Sequence, residues 1–200
     1  MSAETAAATH IEVEIKFRVA EISVLQARLS ALGFSQTTPR TLEQNRLFDT
    51  PTRTLRTRNE TLRIRRYGSK WTVTHKARPT PEDTLPHKHR LETETELADG
   101  EALVRIFASL GYQVSFVYEK WRTEYSDGQG QVVLDETPIG IYAELEGAAE
   151  WIDATAARLG VAQSEYITAS YARLFVDWAA ATKNSAENLT FAEVTAGAAR

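Results

Sequence analysis

The chain has no cysteine among its 200 residues. That excludes disulfides and thiolate metal sites, and it says nothing about redox compartment. No apolar run approaches the roughly 20 residues a transmembrane helix needs. There is no excess of basic residues either: 23 Lys and Arg stand against 27 Asp and Glu, for a net charge of −4. Nothing global therefore draws the protein to nucleic acid or to an anionic membrane, and any anion site has to be built locally. The first ten residues, Met-Ser-Ala-Glu-Thr-Ala-Ala-Ala-Thr-His, have neither the basic nor the apolar region of a signal peptide. The expectation is a soluble cytoplasmic protein with no nucleic-acid or membrane partner. The four histidines, His10, His75, His87 and His89, lack metal-ligand spacing among themselves.

What the chain does have is alternation. Ile11, Val13, Ile15 and Phe17 are apolar, and Glu12, Glu14, Lys16 and Arg18 between them are charged. Period two with β-branched residues predicts a strand with one packed face. Side chains two apart lie about 6.6 Å from each other on one face, so Glu12, Glu14 and Lys16 stand in a row. On one strand alone this is ordinarily a solvated sheet face.

The rest of the chain repeats the pattern. Strands are predicted near 41–48, 61–67, 70–77, 89–97, 114–125, 131–136 and 141–147. Helices follow Ser23, Asp99 and Thr168 and fill 149–159. Residues 52–60 read as a polar loop, and 78–88, with Pro79, Pro81 and Pro86, as an irregular one. Leu32-Gly33-Phe34 and Leu110-Gly111-Tyr112 are similar helix endings. Residues 1–9 read as a disordered N-terminus, 10–180 as one folded domain, and the Ala/Thr-rich 181–200 as a flexible tail. Trp71, Trp121, Trp151 and Trp178 read as packing residues. Arg53, Arg56 and Arg58 read as solvated, with the option of guiding an anion.

Across these strands the charges come in matched blocks. Arg63, Arg65, Lys76, Lys120 and Arg122 share faces on some strands; Glu92, Glu94, Glu144 and Glu146 do so on others. A closed antiparallel barrel accommodates this with its apolar face outward under helices and its charged face inward. Eight strands leave room for one small ligand. Charges of both signs inside are costly unless paired or holding ions. Converging cations suit a polyphosphate chain, and carboxylate rows suit hard divalent ions, Mg2+ or Mn2+.

Glu12-x-Glu14-x-Lys16 resembles the ExExK signature of the CYTH superfamily, which contains class IV adenylyl cyclases, thiamine triphosphatases, inorganic triphosphatases and RNA triphosphatases. Phe48-Asp49-Thr50-Pro51, Leu62-Arg63-Ile64-Arg65-Arg66, Thr74-His75-Lys76, Arg90-x-Glu92-x-Glu94, Glu119-Lys120-x-Arg122, Val133-Leu134-Asp135, Glu144-x-Glu146 and Ser170-Tyr171 follow in the order that resemblance requires. It covers about residues 10 to 178. Ala77-Arg78-Pro79 departs from the Gly-Pro the family commonly carries there.

The resemblance implies an α+β fold, a closed eight-stranded antiparallel β-barrel called a triphosphate tunnel. It implies that Lys16, Arg63, Arg65, Lys76, Lys120 and Arg122 bind a triphosphate. Glu12, Glu14, Glu144 and Glu146, with Asp135, would hold Mg2+ or Mn2+, and Glu92 and Glu94 would position metal or water. Glu12, Glu14 and Lys16 are then the catalytic candidates. The implied activity is metal-dependent hydrolysis of a small triphosphate-containing substrate. Cyclisation of ATP to cyclic AMP, a binding module without turnover, and a structural domain with self-paired charges remain alternatives, and homodimerisation stays open.

Overall fold

The computed structural model describes residues 9–78 and 86–198. Of the expected disordered start, 1–9, residues 1–8 lie outside the described residues and Thr9 opens the first strand; most of the proline-rich segment 78–88 also lies outside them.

Chain order gives β1 (Thr9–Arg18), α1 (Ile22–Ala31), β2 (Ser35–Asp49), α2 (Thr54–Thr57), β3 (Thr61–Tyr67), β4 (Lys70–Ala77), β5 (Lys88–Leu97) and α3 (Gly100–Ser109). Then come β6 (Gln113–Ser126), β7 (Gln131–Thr137), β8 (Gly140–Glu146), α4 (Ala149–Leu159), α5 (Tyr171–Thr182) and α6 (Phe191–Gly197). The strands close into an α+β barrel in the order β1-β5-β4-β3-β2-β6-β7-β8, with β8 returning to β1. Every neighbouring pair is antiparallel. No helix among the described residues is long and apolar enough to cross a membrane.

The alternation seen in the sequence sorts the barrel wall. Ile15 and Phe17 point outward and are buried under Leu25 and Leu29 of α1 and Ile152, Ala156 and Leu159 of α4. Each such side chain contributes about 1.5–3 kcal/mol by leaving water. The two Leu-Gly-aromatic segments are the same device. Gly33 and Gly111 take φ of +87° and +88°, and the amides of Phe34 and Tyr112 return to the carbonyls of Leu29 and Phe107. Both are helix C-caps that need glycine.

Five elements differ from expectation. β2 begins at Ser35 rather than near 41, because register shifts between Gln36 and Thr41 let the strand pass Pro39. The 52–60 loop contains α2, organised by the Asp49 carboxylate, which accepts from the amides of Thr50, Leu55 and Arg56. The N-cap of α1 is Glu21 rather than Ser23, and that of α5 is Ser170 rather than Thr168.

The last difference is the largest. The expected flexible tail is docked. Leu189 is 0% exposed and its backbone bonds to Val117 and Glu119 of β6. Those residues lie on the part of β6 that β7 does not reach. Thr190 caps α6 through the amide of Glu193, whose carboxylate accepts from the amides of Glu187 and Asn188. Leu189 and Val194 join Tyr118, Tyr142, Tyr171 and Phe175 in a second core.

Candidate active site

The inward faces of the strands line a cavity of about 870 Å³ running along the barrel. Lys16, Arg63, Arg65, Lys76, Lys120 and Arg122 line it, and so do Glu12, Glu14, Glu92, Glu94, Glu144 and Glu146. Sequence spacing put these residues on inward faces, and the strand register brings them together.

One wall is acidic. Lys76 Nζ donates to both oxygens of Glu12 at 2.6 Å and lies 2.9 Å from Glu92. Glu14 pairs with Lys88 and, at 3.4 Å, with Lys16. Lys16 reaches Glu144 at 2.7 Å. Burial alone would depress the Lys16 ammonium, which is 2% exposed, but Glu14 and Glu144 outweigh it and hold it above the ordinary lysine value. Burial opposes the charge of Glu14 too, yet Lys16 and Lys88 hold its carboxyl well below the usual range.

The facing wall is cationic. Arg65 donates to Glu94 at 2.8 Å, and Arg63 to Thr74 at 3.1 Å and to the Tyr118 hydroxyl at 3.3 Å. Lys120 and Arg122 converge on Asp135 at 2.7–2.8 Å, and the Tyr171 hydroxyl donates to the same carboxylate at 2.7 Å. The Tyr171 ring lies under both Lys120 and Lys16, at 4.5 and 5.1 Å.

Asp135 departs from its expected role. It is 0% exposed, does not line the cavity, and both oxygens are engaged by the three donors. This geometry makes it the counter-charge that aims Lys120 and Arg122, and leaves no oxygen facing a metal.

Glu43, Asn45 and Lys88 are site residues that the sequence did not single out. Glu43 is 0% exposed and lies 3.6–3.9 Å from Lys120, Arg122 and Arg65. Burial works against its charge, but those cations hold its carboxyl low. Its Oε2 and the Oδ1 of Asn45 are buried without hydrogen-bond partners. Arg53 and Arg56 also line the cavity, while Arg58 does not. Arg53 sits in the left-handed region at φ 58°, a strained conformation held by the Asp49 turn. His87 is outside the tunnel, paired with Asp153 at 2.9 Å.

The fit to a divalent cation rests on donor chemistry. Glu12, Glu14, Glu144 and Glu146 bring hard oxygens to one region of the wall, and Glu14 and Glu146 are register partners. Among the described residues no three carboxylates form a ready-made cage, since lysines hold Glu12 and Glu14. Among the described residues no lysine or arginine stands within ion-pair distance of Glu146, and Lys76 offsets its charge only from farther away. Burial, with Glu12 and Glu14 beside it, pushes its carboxyl up to about 7. The residues therefore fit a divalent cation, which would relieve this acidic crowding.

That shift has a measurable sign. A carboxyl raised in the folded state makes the native form bind its proton more tightly, so stability falls as pH rises from the ordinary carboxylate range through about 7. Glu146→Gln should therefore melt higher than wild type at pH 8 in chelator, by no more than about 3 kcal/mol. The advantage should shrink toward pH 5. Equal melting curves at both pH values would remove the proposed crowding.

A family model described as the CYTH domain matches residues 10–163. The chain belongs to the CYTH family. Solved structures share this CYTH fold. A Vibrio parahaemolyticus protein provisionally named an adenylate cyclase superposes with TM-score 0.74 at 18% identity, over 84% of this chain and 99% of that one. PH1819 from Pyrococcus horikoshii gives 0.70 at 22%, over 83% and 98%. A Hippeastrum protein provisionally named an adenylyl cyclase, described as having a dominant triphosphatase activity, gives 0.59 at 20%, over 83% and 95%. At these identities the likeness speaks for the fold. A sequence comparison with curated proteins found no match. The CYTH match stops at residue 163, so α5 and α6 lie beyond it.

Proposed function

We propose that this CYTH protein is a divalent-cation-dependent phosphohydrolase acting in the cytoplasm on a triphosphate-containing small molecule. The observation that supports the reading most directly is the single tunnel that joins a carboxylate wall to a wall of guanidinium and ammonium groups. Pure anion binding has no use for the acidic wall.

Phosphoryl transfer is mostly a matter of positioning and charge neutralisation. Arg63, Arg65, Lys120 and Arg122 bind the phosphate chain, and their existing carboxylate partners keep them aimed inward before it arrives. Lys16, held charged between Glu14 and Glu144, acts as a phosphate contact rather than as a base. Lys76 does the same beside Glu12 and Glu92. Glu12, Glu14, Glu144 and Glu146 would hold Mg2+ or Mn2+, and Glu92 and Glu94 would position the cation or a water. A cation held there would supply neutralisation of phosphate charge and activation of water.

The test is a panel of inorganic triphosphate, thiamine triphosphate and ATP, each with Mg2+ and with Mn2+, scored for phosphate, pyrophosphate and cyclic AMP. Metal-dependent phosphate release is the expected result. Cyclic AMP with pyrophosphate would reassign the site to cyclisation, and no turnover of any substrate would overturn the enzyme reading.

A further inference from the structure

Two fully buried carboxylates stand behind the cationic wall, and they engage it differently. Asp135 accepts hydrogen bonds from Lys120 and Arg122 at 2.7–2.8 Å. Glu43 accepts none from any cation. Arg65, Lys120 and Arg122 lie 3.6–3.9 Å from it, beyond hydrogen-bond reach. Its Oε1 accepts from the Asn45 amide at 2.9 Å, and among the described residues its Oε2 accepts from nothing. The cations line the cavity and Glu43 does not, so they stand between it and the tunnel.

Hydrogen bonding and charge fall off at different rates. A hydrogen bond is lost by about 3.6 Å. Charge acts as the inverse of distance, and it is little screened where water is absent. Asp135 therefore occupies N–H groups of the wall. Glu43 lowers the positive potential of the wall and occupies no N–H group of its three neighbouring cations. The four cations that bear on its charge, Arg63, Arg65, Lys120 and Arg122, are the ones that would grip a phosphate chain.

A cleaved phosphate chain keeps most of its negative charge. Cations that bind the substrate tightly therefore bind the product tightly too, and such uniform binding lowers KM without raising kcat. Release of product then limits turnover.

We propose that Glu43 is a positioning residue that tempers the cationic wall from behind, weakening its hold on the cleaved phosphate chain so that product leaves. This rests on the triphosphate reading of the tunnel and adds a residue that sets how tightly the chain is held. Glu43 acts through the cations and does not touch the substrate.

The experiment compares wild type, Glu43→Gln and Glu43→Asp. Calorimetry in chelator gives Kd for pyrophosphate and for inorganic triphosphate. Single- and multiple-turnover kinetics with Mg2+ use ATP, thiamine triphosphate or inorganic triphosphate, whichever wild type turns over. In Glu43→Gln the cations keep Glu94, Asp135 and Glu144 as partners, which favours folding. Each protein is purified in pyrophosphate and then dialysed. In Glu43→Gln the Kd for pyrophosphate should fall about tenfold, the order expected of one negative charge removed near a bound anion. KM and multiple-turnover kcat should fall together while the single-turnover rate holds, so that the first turnover appears as a burst. Glu43→Asp keeps the charge and should bind pyrophosphate as wild type does.

A Glu43 that only supports the wall predicts the opposite sign, weaker binding and a slower single turnover in Glu43→Gln. That result overturns the proposal, as does an unchanged Kd. A Glu43→Gln that fails to fold even in pyrophosphate overturns it too, because a group that only tempers cations is replaceable by another anion beside them. If wild type binds neither pyrophosphate nor inorganic triphosphate, the triphosphate reading itself falls, and the role of Glu43 with it.

Discussion

Asp135→Asn should lose about 3–5 kcal/mol of stability, the usual cost of stripping a buried charge of its partner. Asparagine keeps the shape but removes the charge that holds Lys120 and Arg122, both nearly buried. Glu43 and Glu144 stay within ion-pair distance and limit the damage. A domain of this size has about 5–15 kcal/mol in all, so the melting temperature should drop by many degrees. The same arrangement predicts a rescue. A triphosphate entering the tunnel brings negative charge to the two cations that Asp135 served. It should therefore stabilise Asp135→Asn more than it stabilises wild type, by linkage between binding and folding. Thermal melts of both proteins with and without inorganic triphosphate measure this directly. Equal ligand-induced shifts would mean that Lys120 and Arg122 do not touch the phosphates.

The barrel could be read from the sequence because most of its strands carry opposite chemistry on their two faces. β1 shows this best: Ile15 and Phe17 need α1 and α4, Glu14 and Lys16 need each other, and Glu12 needs Lys76. β2 is different. Glu43, Gln44, Asn45 and Arg46 are polar in succession, so periodicity cannot say which of them turn inward. Only pairing with β6, which sets Glu43 against Lys120, settles it. Lys88 was hidden for another reason. It opens β5 directly after a proline-rich segment, where no alternation precedes it. The docked C-terminus is Ala-rich and weakly amphipathic, and its buried apolar anchors are Leu189 and Val194. A local signal did exist there: Thr190 and Glu193 have the Ser/Thr-x-x-Glu spacing of a helix start. Asp135 shows the reverse limit. The family resemblance placed it with the metal carboxylates, but the donors around it, which sequence spacing could not assign, make it a counter-charge.

The double substitution Glu12→Gln with Glu14→Gln should separate binding from turnover by moving them in opposite directions. Both carboxylates face the tunnel, and each is engaged by lysine, Glu12 by Lys76 and Glu14 by Lys88 and Lys16. Glutamine keeps the length and the polar contacts but removes two negative charges. Lys76 keeps Glu92 and Lys16 keeps Glu144, so the wall is not left uncompensated. Lys88 loses its carboxylate but is partly exposed, and water can take its place. Folding should therefore survive. The tunnel becomes more positive, and metal-free binding of inorganic triphosphate, measured by calorimetry in chelator, should hold or tighten. Metal-dependent turnover should fall about 1,000-fold or more, because a barrier raised by about 4 kcal/mol has that effect, and removing a charge-stabilising group from a water-excluded site costs that much. A variant in which binding and turnover weaken together would make these carboxylates part of the scaffold. A variant that binds well and does not turn over would place the chemistry on the acidic wall and the recognition on the cationic one.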